Sequence, residues 1–252
     1  MSKKLIKKHT LFALLLSAAF AGTAKAQTDN DAIMMARKNL CIGGMYSYNS
    51  WTNYWEGTFK RNNDNLGKVS TQMIGLMGNY GITNNLNAIF SVPYVKTKAS
   101  QGVLGGFDGI QDLSLWLKWK AYQHNIGKGK ISLYALGGIS TPLSDYNIDM
   151  LPLSIGLGST TFTGRVMADY QYNKFFVTAH GSYSRRNNVK LDRTGYYTTE
   201  LHLTNEVEMP DMAMYGIRTG FRSKYLIADV MLSRMNTIGG FDIRKNDMPF
   251  PS

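Results

Sequence analysis

Asp112-Leu113-Ser114-Leu115-Trp116-Leu117-Lys118-Trp119-Lys120 alternates without a break. Leu113, Leu115, Leu117 and Trp119 fall on one side, and Asp112, Ser114, Trp116, Lys118 and Lys120 on the other. Successive side chains of a strand point to opposite faces, so the stretch codes a strand with one greasy face and one charged face. The same code recurs along the chain. Nine candidate strands of about ten residues follow one another at 40–50, 69–80, 85–96, 110–122, 130–141, 161–172, 174–185, 212–222 and 225–235, the length a tilted strand needs to cross a bilayer.

The faces can be assigned strand by strand. At 85–96, Leu86, Ala88, Phe90, Val92 and Tyr94 oppose Asn85, Asn87 and Ser91. At 161–172, Phe162, Val166, Ala168 and Tyr170 oppose Thr163, Arg165, Asp169 and Gln171. At 174–185, Phe175, Val177, Ala179 and Tyr183 oppose Thr178, His180, Ser182 and Ser184, and at 212–222, Tyr215, Ile217 and Phe221 oppose Arg218 and Arg222. The connections sort into two classes: short turns near 79–84, 125–129, 172–173 and 222–224, and long loops at 51–68, 97–109, 142–160 and 186–211. Short turns at one end and long loops at the other are the arrangement of outer-membrane barrels, with the long loops outside. The fold expected is therefore all-β, an antiparallel up-and-down transmembrane β-barrel over 40–252.

The N-terminus supplies the compartment. Lys3, Lys4, Lys7 and Lys8 precede the apolar run Leu11–Phe20, which ends at Ala24-Lys25-Ala26. That is the order of a secretory signal peptide over 1–26, with a small-x-small cleavage site. Residues 27–39 then form a short periplasmic segment before the first strand. The expected location is the cell outer membrane. Five of the 28 basic residues lie in the leader, so the formal charge of +11 falls to +6 in the remainder. This modest excess, with no basic module, does not point to nucleic acid. Cys41 stands alone, which excludes an internal disulfide, and its distance from the cleavage site excludes an acylated lipoprotein terminus. It reads as a small side chain within the first strand.

Nine is an odd count, whereas single-chain bacterial barrels have even numbers of strands. An open barrel leaves strand edges unpaired in hydrocarbon, which is prohibitive. The expectation is a C-terminally incomplete sequence, ending at Met248-Pro249-Phe250-Pro251-Ser252, of a barrel with ten or twelve strands.

Three stretches resemble, in order and spacing, the meta-pathway phenol-degradation family of outer-membrane barrels. They are Gly109-Ile110-Gln111-Asp112-Leu113-Ser114-Leu115-Trp116-Leu117-Lys118, Thr141-Pro142-Leu143-Ser144-Asp145-Tyr146, and Leu151-Pro152-Leu153-Ser154-Ile155-Gly156-Leu157-Gly158-Ser159. The similarity spans roughly 39–235, although Leu143-Ser144 replaces the family's more usual Thr-Gly. The resemblance implies a closed barrel that admits aromatic or other hydrophobic compounds, related at a distance to the fatty-acid and toluene transporters. The segment before the first strand is much shorter than a fatty-acid transporter's plug.

The residues that could carry function are the inferred lumen lining: Asp112, Lys118, Lys120, Arg165, Asp169, His180, Arg218, Arg222 and Asp229. As a functional set, the cationic excess attracts anions into a pore. As a structural set, the same charges form cross-strand ion pairs that fill a narrow barrel. His180 and Ser182 share a face at i and i+2, the relation of a base and a nucleophile, but no third group orients them and the Asn-Gly expected after them is Tyr183-Ser184. No catalytic residue is assigned. Asn63-Asp64-Asn65 and the Asp145–Asp149 stretch match no metal-loop spacing, and no cofactor is implied. Trp51, Tyr54, Trp55, Trp116 and Trp119 are candidates for an interfacial aromatic girdle.

The expected function is passive passage or uptake of small molecules, hydrophobic or aromatic ones among them, by a monomeric barrel whose partners are outer-membrane lipid and the solute. It is not an enzyme on this reading. The alternative is a closed structural or surface-binding barrel with no pore. N-terminal sequencing of the protein from the envelope should read Gln-Thr-Asp-Asn, starting at Gln27; a chain that begins at Met1 there would refute the compartment.

Overall fold

Hydrogen-bonded pairing is where a period-two sequence must discharge its backbone polar groups, and here it does so in one sheet. The computed structural model describes residues 28–56, 59–148, 153–192, 194–197, 201–223 and 226–239. The leader at 1–26 and the closing Met248–Ser252 stretch lie outside them. The described chain is all-β. Nine long strands form the sheet: β1 (Leu40–Trp51), β2 (Val69–Gly81), β3 (Leu86–Ala99), β4 (Asp112–Ile126), β5 (Gly129–Pro142), β6 (Thr161–Tyr172), β7 (Phe175–Arg186), β8 (Asp211–Arg222) and β9 (Ile227–Ile238). Each pairs antiparallel with its neighbour in sequence, and the sheet curls into a half-barrel. Among the described residues β1 pairs only with β2, and β9 only with β8.

The strand boundaries expected from alternation lie within four residues of those observed. The largest difference, at the end of β4, has a physical cause. Lys120 pairs with Tyr134 and Tyr122 with Leu133, so Ala121 is an extra residue in the β4 strand. This bulge reverses the face of everything after it. Tyr122 therefore points out and stacks on His124, while Gln123 turns toward Lys120 on the inner side. The alternation that identifies the strand stops at the bulge, although the strand continues to Ile126.

Short turns join β2–β3, β4–β5, β6–β7 and β8–β9 at one end of the sheet, and the long loops gather at the other. Gly127 (φ 60°) and Asn173 (φ 53°) open the two-residue turns in the left-handed region, which Gly adopts without penalty and Asn tolerates best among the rest. The long loops fold back on themselves. Asn53–Glu56 pairs with Phe59–Asn62, Val189–Lys190 with Glu206–Val207, and Tyr196–Tyr197 with Leu201–His202. Leu153 descends from the 143–160 loop onto Val69 and Ala99, and Thr97 Oγ1 donates to its carbonyl at 2.5 Å. Trp51 packs on this cluster, inside the loop end rather than in an outer girdle. The side chains of Tyr54 and Trp55 lie outside the description.

The two faces of the sheet differ as the alternation predicts. Leu115, Leu117, Trp119, Phe162, Val166, Tyr170, Phe175, Val177, Tyr215 and Ile217 are all exposed on the outer face. Lys118, Arg165, Asp169, Thr178, His180, Ser182 and Ser184 are buried on the inner one. A soluble sheet inverts this relation, since covering one Leu, Val or Phe side chain gains roughly 1.5–3 kcal/mol. Exposed apolar residues gathered on one face mark an interaction surface. The register gives a direct prediction. Leu115→Arg should cost roughly 2–4 kcal/mol in reversible folding into lipid, and Ser114→Arg, on the opposite face, far less. Equal tolerance would refute the expectation that the outer face meets hydrocarbon.

Candidate functional site

The inner face is occupied by the chain's own N-terminal segment. Asp31 organises that segment first: its Oδ2 accepts the Thr28 backbone N–H at 2.5 Å and its Oδ1 accepts that of Ile33 at 2.8 Å. A carboxylate that bonds the amide two residues on is a self-contained Asx turn. The chain then leaves the sheet's interior at Ala36, passing so close to Gly81 that a Cβ there would lie 2.1 Å from the Ala36 carbonyl oxygen. Only Gly permits this approach. Lys38 donates its backbone N–H to the Gly81 carbonyl at 2.7 Å, and β1 begins two residues later.

Three cations of the sheet grip the segment. Lys118, with no exposed surface, donates from Nζ to the Thr28 carbonyl at 2.9 Å, to Asp31 Oδ1 at 3.0 Å and to the Ile33 carbonyl at 3.0 Å. All three ammonium protons are thereby satisfied. Arg165 donates from Nη1 to the Asp29 carbonyl at 3.0 Å, to Asp29 Oδ2 at 2.9 Å and to Asn30 Oδ1 at 2.6 Å, and lies over the Trp116 ring. Arg218 reaches the Asn30 carbonyl at 3.3 Å. Tyr134 adds a hydroxyl to the Ala32 carbonyl at 2.8 Å, and Ala32 packs with Tyr134, Leu136 and Met167.

The remaining inner-face charges divide. Arg218 makes a two-pronged pair with Asp229 on the adjacent strand, at 2.6 and 2.7 Å. Arg222 reaches Asp169 at 3.4 Å and Gln171 at 3.1 Å, and stacks over Phe176 at 4.1 Å. Asp169 also accepts from Thr178 at 2.6 Å. Asp112 stands apart from this group at the loop end, accepting the Tyr146 hydroxyl at 2.6 Å. Burial and this bond push the Tyr146 hydroxyl above its ordinary range. Among the described residues Lys120 bonds only Gln123, at 3.1 Å, and it faces a cavity of about 530 Å³ at the turn end.

His180 and Ser182 are both buried on the inner face. The His180 ring lies against Gly216, and its Nε2 has no hydrogen-bond partner among the described residues. No carboxylate bonds the ring among the described residues, so the pair lacks the orienting group that an activated nucleophile requires. Among those residues, too, no three His, Cys, Asp or Glu side chains gather to hold a metal ion.

No family model matches this chain, and no curated protein matches it. The resemblance to the phenol-degradation barrels therefore rests on the three quoted stretches alone, and the site must be read from its own geometry.

Sequence reasoning located the inner-face cations and, in Asp169 and Asp229, the partners of Arg222 and Arg218, but not the partners of Lys118 and Arg165. Asp29, Asn30 and Asp31 read as part of a spacer, because no periodicity marks a segment that is neither strand nor helix. The signal available was electrostatic: two carboxylates directly ahead of the first strand in a chain whose inner face has more cations than anions. The geometry ranks these two. Asp31 is 3% exposed and faces a wholly buried ammonium, while Asp29 is 26% exposed. Removing one partner of a buried pair costs about 3–5 kcal/mol, whereas more accessible pairs contribute about 1 kcal/mol or less. Asp31→Asn should therefore destabilise the protein by about 3 kcal/mol in denaturant titration, and Asp29→Asn by about 1 kcal/mol. Equal costs would show that the buried ammonium does not depend on Asp31.

Proposed function

We propose that this chain is the wall and plug of an outer-membrane barrel that passes small molecules passively. The observation that carries the reading is the pairing of two opposite faces in one sheet: an exposed apolar band outside and a buried, charged and hydrogen-bonded surface inside. That combination suits a wall between hydrocarbon and a polar interior. Among the described residues the outer edges of β1 and β9 carry no partner strand, which supports closure by further strands, to ten or twelve in all, since open edges are not tolerated in hydrocarbon. On this reading residues 28–34 fill the lumen in the resting state, held by Lys118, Arg165 and Arg218. The resemblance to the phenol-degradation barrels adds aromatic and other hydrophobic compounds as candidate solutes.

The second reading is a closed barrel that binds at its surface. What favours it is the completeness with which the segment's polar groups are satisfied, together with a cavity of about 480 Å³ among the long loops, lined by Ser144, Tyr146 and Lys190.

Conductance separates the two. In planar bilayers the complete protein should show low, intermittent conductance, and deletion of residues 28–33 should raise it severalfold. A deletion variant that remains folded and heat-modifiable but passes no current would refute the channel and leave the closed barrel.

A further inference from the structure

At the turn end of the inner face, the bulge in β4 and the departing N-terminal segment border the open cavity of about 530 Å³. Four cations line it: Lys120, Lys130, Lys174 and Arg222. They come from four places, β4, β5, the β6–β7 turn and β8, and the curl of the sheet brings them to one space. No carboxylate is among the lining residues. Gln123 and Gln171 supply neutral amides, and Ala32, Ile33 and Met34 of the segment form one wall.

The partners of these cations are unequal. Arg222 is partly neutralised by Asp169 at 3.4 Å. Among the described residues Lys120 bonds only the Gln123 amide oxygen, and Lys174 lies over the Phe221 ring at 5.7 Å. None of the three lysines has a carboxylate within ion-pair distance among the described residues. This contrasts with Lys118, Arg165 and Arg218, each of which has its own aspartate. Like charges gathered around a concave surface repel one another and raise the local concentration of counter-ions. The cavity size falls within the range of small-molecule sites.

We propose that this vestibule binds a small multivalent anion, a phosphorylated or polycarboxylate solute whose oxygens bridge Lys120, Lys130, Lys174 and Arg222. A single negative charge leaves most of the cluster unmatched, whereas two or more satisfy it. Because Ala32, Ile33 and Met34 close one side, the site is complete only while the segment is seated. The proposal deepens the channel reading by naming a class of solute at the turn end, and it rests on that reading only for how the solute arrives.

The test is calorimetric titration of the complete protein in detergent micelles with pyrophosphate, with citrate and with monovalent acetate, at low and high salt. Pyrophosphate and citrate should bind saturably with acetate at least tenfold weaker, and the affinity should fall as salt screens the charges. Lys120→Gln with Lys130→Gln should weaken pyrophosphate by about tenfold or more, on the order of losing charge-assisted hydrogen bonds. Lys98→Gln, exposed near the loop end of β3, should leave it unchanged. Absence of saturable binding to protein whose strand circular dichroism is native overturns the proposal, as does equal affinity in the double variant and wild type. If citrate binds and pyrophosphate does not, the polycarboxylate arm stands and the phosphate arm falls. Binding in a protein that passes no current refutes the channel and leaves the site.

Discussion

The ammonium of Lys118 is the constraint around which the interior is organised. A charge with no exposed surface is tolerable only if it is matched and every proton is bonded. The sheet alone supplies neither, because the positions beside Lys118 on β3 and β5 are Asn87 and Leu136. The match comes from Asp31 and two backbone carbonyls of a segment far away in sequence. A buried pair of this kind adds less to stability than its contacts suggest, since desolvation offsets most of the attraction. Its effect is on uniqueness: any other placement of residues 28–33 leaves an unpaired charge on each side.

From that constraint the rest of the interior follows in layers. Asp31 can meet Lys118 only if its turn is tight, and its bonds to Thr28 and Ile33 make it so. The turn fixes the direction of Asp29 and Asn30, which brings them to Arg165 and Arg218 across the half-barrel. Ala32 then packs where Tyr134, Leu136 and Met167 leave an apolar hollow. Gly81 lets the chain turn out of the interior and into β1. The sheet needs the segment for charge, and the segment needs the sheet for every contact beyond its own turn.

Much of this was legible in the sequence, and the division between what was and what was not is physical. Alternation over Leu113–Trp119 or Phe162–Tyr170 identifies both a strand and its faces, because each residue must go to one side or the other. It says nothing about what lies against the inner face, since residues 28–33 have no period. The bulge at Ala121 was likewise hidden, because a bulge is defined by a partner strand and leaves no local mark in Lys120-Ala121-Tyr122. Trp51 looked like a girdle residue by its place at a strand end, but its environment is set by Leu153, which arrives from another loop. Asp112, Lys118, Lys120, Arg165, Asp169, His180, Arg218, Arg222 and Asp229 were recognisable as an inner set. Their partition into a segment clamp, cross-strand pairs and a vestibule depends on three-dimensional neighbours.

The charge balance changes meaning once the segment is included. Read from the strands, the inner set has five cations, Lys118, Lys120, Arg165, Arg218 and Arg222, against three carboxylates, Asp112, Asp169 and Asp229, which suggests an anion-attracting bore along its length. Asp29 and Asp31 bring the carboxylates to five. They fall beside Arg165 and Lys118, midway along the sheet, and not beside Lys120. Asp112 meanwhile is engaged at the loop end by Tyr146. The middle of the interior is therefore neutralised while the segment is seated, and the uncompensated positive charge is confined to the turn end, where Lys130 and Lys174 add to it. Withdrawal of the segment would expose Lys118 and Arg165 together and extend that field inward. The proposed attraction for anions and the position of residues 28–33 thus rest on one charge distribution.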